Sequence, residues 1–209
     1  MPNRLRRAPP VDLSDGRSFT ERHEAILSLL EEIFLTEGFR NQTIQALASR
    51  LRCSRRTLYD LAPSKDELVL LVVDRLLHRT GRQAMAKAGA IDAPADRVHA
   101  YVSTASIMLR QGTRAFSSDV AAHPALQRLF EEHYRFATSI IAHLIQDGVD
   151  RGTFGGIDAQ LAAEVIYAGL ERLQQPEILQ RTGHTNAEAI QQMINLITYG
   201  FTRSTEPRG

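Results

Sequence analysis

Apolar residues recur in this chain every three or four positions and nowhere alternate convincingly, and that periodicity admits helices and argues against a sheet. Ile26, Leu29, Leu30 and Ile33 form one such set, and Ile44, Leu47, Ala48 and Leu51 form the next. The pattern returns at Leu126, Leu129, Phe130, Ala137, Ile140 and Ile141. The expected fold class is therefore all-α. With 209 residues the chain can bury a core without metal or disulfide support. A lone cysteine, Cys53, excludes an internal disulfide framework and a Cys-rich zinc site. The longest aliphatic run, Leu68 to Val73, is too short to cross a bilayer. The opening MPNRLRRAPP is basic but lacks the apolar stretch of a secretory signal, so a cytoplasmic location is expected.

Capping residues punctuate the periodic segments. Residues 1–17 are rich in Arg and Pro and read as a flexible arm. Ser18 with Glu21 has capping-box spacing and opens a helix that stops near Gly38. Thr43 caps a second short helix, Arg52-Cys53 is a tight connection, and Ser54 caps a third helix ended by Pro63. Ser64 with Glu67 forms another capping box, opening a helix to about 88. Further helices are expected over 94–112, 114–121, 124–151 (with Pro124 in its first turn) and 158–174. Residues 176–184 read as a loop, and Thr185 with Glu188 caps a last helix, 186–203.

Overall charge is uninformative, with 25 basic residues against 24 acidic ones. Locally it is not. Between Gly38 and Lys65 lie Arg40, Arg50, Arg52, Arg55, Arg56 and Lys65 against Asp60 alone. A phosphate-facing surface needs such a surplus, although a solvated helical face has the same composition. The scaffold decides between them. Two short helices joined by a turn at 43–61 form a helix-turn-helix, whose second helix can enter a major groove. Leu47, Ala48, Cys53 and Leu58 would hold the pair from one side, leaving Arg55, Arg56, Thr57, Tyr59 and Asp60 on or near the other. Arginines there can fork onto guanine O6 and N7, and hydroxyls can reach phosphates or bases.

The run Gly38-Phe39, Thr43-Ile44, Leu47-Ala48, Cys53-Ser54, Thr57-Leu58-Tyr59, Pro63-Ser64-Lys65 with Leu68 resembles the DNA-binding domain of the tetracycline-repressor (TetR) family over about residues 18–70. The resemblance implies an N-terminal three-helix DNA-binding domain, 18–65, after the arm 1–17, and a helical effector-binding and dimerisation domain, 66–209. It implies phosphate contacts at Thr43, Tyr59 and Lys65, and base-reading positions at Gln45, Arg55, Arg56 and Thr57. Arg52 stands where the family has glycine, suggesting a left-handed residue or a different turn. Cys53 replaces a small aliphatic residue and Ala62 an aromatic one, while Asp60 is an unusual acid for a DNA-facing helix. As a small hydrophobe, Cys53 reads as packing rather than redox sensing.

The histidines make no metal array by spacing. Asp74/His78 and Asp119/His123 read as helix-surface pairs, and His133 as a hydrogen-bonded core residue. No nucleophile elbow, Gly-rich phosphate loop or set of inward-facing paired carboxylates is present, so neither an enzyme nor a cofactor is expected. Ile190, Met193, Ile194, Ile197 and Phe201 form a stripe on the last helix. Leu161, Ala162, Val165, Ile166 and Gly169 form a flatter face on the helix before it. Together they close a core or, as the resemblance implies, pair with a second copy. It further implies a small-molecule cavity, for which polar or aromatic groups among apolar ones are candidates: His78, Tyr101, Thr104, Met108, His133, Tyr134, Phe136, Tyr167 and Glu171. Ordinary core packing accounts for the same residues. The expected function is a homodimeric transcriptional regulator, a repressor that binds a palindromic operator and is released by an effector. A helical small-molecule-binding protein without operator binding and a non-specific DNA binder are the alternatives. Arg4, Arg6 and Arg7 of the arm either enter a minor groove or merely add charge.

Overall fold

The computed structural model describes residues 10, 12–14, 18–106, 111–173 and 175–202, with the side chains at 176, 186, 187 and 198–202 left aside. Among the described residues every regular element is a helix. In order they are α1 (Glu21–Glu37), α2 (Ile44–Arg50), α3 (Arg55–Leu61), α4 (Lys65–Gly89), α5 (Pro94–Ala105), α6 (Arg114–Ala121), α7 (Pro124–Asp150), α8 (Ala159–Leu173), α9 (Pro176–Thr182) and α10 (Asn186–Thr202). Two compact units emerge. A head comprises Pro10–Arg79 with Gln111–Glu132, and a body comprises Thr80–Arg110 with His133–Gly209.

Local capping explains most boundaries. Thr43 Oγ1 accepts from Ala46 N at 3.1 Å and Ser54 Oγ accepts from Thr57 N at 3.1 Å. Thr185 and Glu188 form the expected box, whereas Ser64 Oγ accepts from Glu67 N and the Glu67 carboxylate takes the Ser64 hydroxyl rather than its amide. Asp158 receives Leu161 N at 2.8 Å. Three expectations need correction. The cap of α1 is Thr20, whose Oγ1 accepts from His23 N, so Glu21 lies in the first turn rather than answering Ser18. α5 ends at Ala105 instead of 112, with the Ser106 hydroxyl folded back on Val102 O. Residues 176–184 are no plain loop. Pro176 sits at the start of α9, where its fixed φ suits a helix and its missing N–H costs nothing, and Gly183 closes the turn at φ 70°.

In the head, Leu27, Leu30, Phe34, Leu47, Leu58, Leu61 and Leu68 are fully or almost fully buried. Phe34, Phe39, Phe116 and Phe130 follow one another edge-on at 5.8, 6.3 and 6.5 Å, so α6 and α7 contribute to this core as well as α1. The body has its own core, including Val98, Tyr101, Ile141, Ile145, Ala163, Ile166 and Ile190.

Several charges in the head are buried. Asp74, expected on a helix surface, has no exposed area and accepts from Leu13 N at 2.8 Å, with His78 Nε2 at 3.5 Å from its other oxygen. Glu31 of α1 faces two arginines of α4, with Arg79 Nη2 at 2.6 Å and Arg75 Nε at 3.1 Å. Burial outweighs the pull of Arg79 and Arg75 and raises the Glu31 pKa above 4.5. The fold thus favours the protonated carboxyl. Its contribution to stability is complete below the ordinary glutamate range and is lost as pH rises through the higher folded value. Glu31→Gln, which cannot ionise, should therefore gain stability relative to the parent protein as pH rises across that interval. Urea unfolding at a series of pH values measures this, and a deficit that grows with pH would mean that the ion pairs outweigh burial.

Candidate nucleic-acid interface

α2 and α3 are held in register by apolar residues and by a compact turn. Leu47, Ala48, Leu58, Leu61 and Ala62 are buried, the last filling its place with a methyl group alone. In the turn, Arg52 N donates to Ser49 O and Cys53 N to Ala48 O at 2.9 Å. Arg52 has φ 51°, the left-handed conformation that its place in the turn had suggested. Cys53 is half-buried rather than buried, and desolvation pushes its thiol upward, away from thiolate chemistry.

The outward side of α3 carries Arg55, Arg56 and Asp60, all exposed, and Tyr59, with half its surface accessible. Thr57 is half-buried, and its hydroxyl lies 2.9 Å from Ser54 Oγ, so cap formation competes with base contact. Gln45 and Thr43 are exposed at the start of α2. The Thr43 oxygen accepts the capping bond, which leaves its O–H as a donor. Lys65 Nζ donates to Arg40 O at 2.8 Å, and an ammonium carries two further donors. The charge surplus is smaller than the sequence suggests. Glu37, just outside the basic segment, holds Arg50 in a two-pronged ion pair, and those hydrogen bonds lower its pKa.

Sequence reasoning missed one junction beside this surface. Asp119 of α6 does not pair with His123 on a helix face. Its Oδ2 accepts from Phe39 N at 2.7 Å and Arg40 N at 2.8 Å, in the loop before α2. Gly38 makes this approach possible, since it has φ 76° and a Cβ there would lie 2.5 Å from that oxygen. His123 instead presents Nδ1 to Leu126 N at the start of α7. Only the glycine was visible in the sequence, because the contact spans 80 positions.

The other candidate residues fall into several groups. Tyr101, Thr104 and His133 are buried in the body, whereas His78 belongs to the head and Met108 lies outside the described residues. Burial drives the Tyr101 phenol well above its usual range. Tyr134 and Tyr167 come together with ring centres 5.4 Å apart, and the Tyr167 hydroxyl donates to Glu171 at 2.8 Å. Burial, with the Glu171 charge second, pushes the Tyr134 pKa up to about 12. Phe136 is partly buried against the body core.

Of the stripes on α8 and α10, Ile166, Ile190 and Ile194 are in the body core, while Met193 and Ile197 are partly buried. Met193 Sδ lies 2.5 Å from where a Cβ on Gly169 would stand, so that glycine lets α8 and α10 approach. Leu161 and Val165 are exposed, as is Leu196, which the sequence pattern did not single out. The side chain of Phe201 lies outside the described residues.

A helix-turn-helix with one buried and one basic face, in a chain whose described elements are all helices, has the architecture of a DNA-binding regulator. Residues 26–72 match the family described as bacterial regulatory proteins, tetR family, so this region is a tetR-family helix-turn-helix domain. The fold of the chain resembles that of a TetR-family transcriptional regulator from Streptomyces coelicolor (TM-score 0.65, 19% identity, covering 87% of this chain and 96% of that one). It also resembles the fatty acid degradation regulator FadR from Bacillus halodurans (TM-score 0.68, 12% identity, 88% and 98% covered). A third similar structure is SmeT, the repressor of the Stenotrophomonas maltophilia multidrug efflux pump SmeDEF (TM-score 0.65, 15% identity, 89% and 92% covered). No curated protein sequence matches the chain significantly. Among the described residues no helix is long and apolar enough to cross a membrane.

The left-handed arginine yields a stability prediction. A residue with a Cβ in that conformation costs about 1–2 kcal/mol, partly offset by the larger unfolded-state entropy of glycine. Arg52→Gly should therefore raise unfolding stability by roughly 0.5–1 kcal/mol, readable in a urea melt.

Proposed function

We propose that the protein is a dimeric, sequence-specific transcriptional repressor that binds a palindromic operator and is released from it by a small-molecule effector. The observation that carries this reading is the division of α3, with Leu58 and Leu61 buried and Arg55, Arg56 and Tyr59 outward. Arg55, Arg56, Gln45 and Thr57 approach base edges, and Thr43, Tyr59 and Lys65 hold phosphates. One seven-residue helix reads few base pairs, and two heads about 34 Å apart multiply the specificity of each. The exposed Leu161, Val165 and Leu196 support pairing of the body through α8 and α10. Tyr134, Tyr167 and Glu171 are the best grouped of the effector candidates. An effector acts only through better binding to the operator-free conformation, by a few kcal/mol for a useful switch. The proposed setting is the cytoplasm.

Fluorescence anisotropy with DNA from the upstream region of its own gene and a scrambled duplex, at two salt concentrations, tests this reading. Selective, salt-sensitive binding is expected. Equal binding to both duplexes would favour a non-specific binder, and binding to neither, even after selection from random DNA, would favour a small-molecule-binding protein. Arg55→Ala and Arg56→Ala should each cost about 1–3 kcal/mol and relax base preference. Tyr59→Phe should weaken all sequences alike. Combining Leu161→Glu with Leu196→Glu should yield monomers in sedimentation experiments and greatly reduce operator affinity.

A further inference from the structure

The head contains a carboxylate that the proposed DNA contacts do not use, and its placement is unusual. Asp119 lies on α6, in a segment flanked in sequence by body residues yet packed within the head. Its Oδ2 sits between two consecutive backbone amides, Phe39 N at 2.7 Å and Arg40 N at 2.8 Å. Consecutive amides converging on one point form a concave anion site, and here its anion is built into the chain. The same short loop meets the reading surface at both ends. Arg40 O receives Lys65 Nζ at 2.8 Å, and Thr43, three residues on, caps α2. Thr113, at the start of α6, adds a second attachment: its N–H donates to Leu35 O at 2.9 Å, and its hydroxyl, which alanine would lack, lies 3.0 Å from both Leu35 O and Thr36 O.

We infer that Asp119 is a positioning residue for DNA binding, which fixes the Phe39–Arg40 backbone and so aligns Lys65 and Thr43 with their phosphates. The inference rests on the DNA-binding reading above. It also has a sign that simple electrostatics does not share. A carboxylate beside a phosphate-facing loop repels DNA, so removing it should tighten binding if charge alone matters. If Asp119 acts by holding the loop, removal should weaken binding.

The test uses the full chain and a duplex that the parent protein has selected from random DNA. Anisotropy titrations at several salt concentrations, based on the active fraction of each folded protein, compare the parent with Asp119→Ala, Asp119→Asn and Thr113→Ala. Asp119→Ala should bind roughly tenfold more weakly, with a salt dependence shallower by about 0.9 for each phosphate that the protein no longer neutralises. Asp119→Asn keeps an acceptor without the charge and should fall between. Amide hydrogen exchange at Phe39 and Arg40 should quicken in the order parent, Asn, Ala. Thr113→Ala should lower thermal stability while leaving the affinity of the folded protein near the parental value, which separates positioning from loss of structure. Parental or tighter binding by Asp119→Ala overturns the inference. Should that variant fail to fold, parental binding by Asp119→Asn overturns it equally. If the parent protein itself selects no duplex, the DNA-binding reading fails and the inference falls with it.

Discussion

Helices of seven residues do not persist alone in water, because nucleation is unfavourable and so few hydrogen bonds follow it. α2 and α3 are both that short, and the head depends on what they bury. Leu47, Leu58 and Leu61 are almost completely withdrawn from solvent. Each is worth about 2 kcal/mol on ordinary transfer scales. Once those three point inward, helical geometry leaves Arg55, Arg56 and Tyr59 little choice but to face out. The outward chemistry is thus a consequence of the inward packing, and truncation of Leu58 would remove both.

Carboxylates do the remaining positioning in the head. Asp74 receives the Leu13 amide, Asp119 receives those of Phe39 and Arg40, and Glu31 faces Arg75 and Arg79. Withdrawing such groups from water is costly unless their oxygens are satisfied, and each has dedicated partners. Two of them hold chain that has no helical hydrogen bonds of its own. Side chains on α4 and α6 thereby give fixed backbone geometry to segments that hydrophobic packing leaves underdetermined.

This division explains what could be read from the sequence. Thr43, Ser54, the Ser64–Glu67 pair and the Thr185–Glu188 box were legible because a cap and its partner lie within one turn. Leu47 and Leu58 were legible because helical periodicity separates their face from that of Arg55. The pairing of Arg50 with Glu37 was not legible, since it joins positions 13 apart across a loop, and it removes a charge that composition had counted. Asp74 and Asp119 were placed on surfaces because i, i+4 spacing points to a local partner; Asp74 does lie beside His78, but it is buried and also takes the distant Leu13 amide, and Asp119 takes the distant amides of Phe39 and Arg40. On α8 and α10 the periodicity marked apolar residues without distinguishing Ile166, Ile190 and Ile194, which fill the body core, from Leu161 and Val165, which face out. α9 escaped notice because proline can open a helix as well as end one.

The bond from Asp119 to Phe39 also sets an order of events during synthesis. The ribosome adds roughly 5–20 residues each second, so about 4–16 s separate the appearance of Phe39 from that of Asp119. Throughout that interval the nascent head has α1, α2 and α3 but lacks the carboxylate that closes its loop and the Phe116 ring that packs on Phe39. The loop before α2 therefore lacks two of its contacts until α6 has been made. It waits, incompletely sealed, for a segment encoded beyond the first half of the chain, and only then do the Phe39 and Arg40 amides meet their carboxylate.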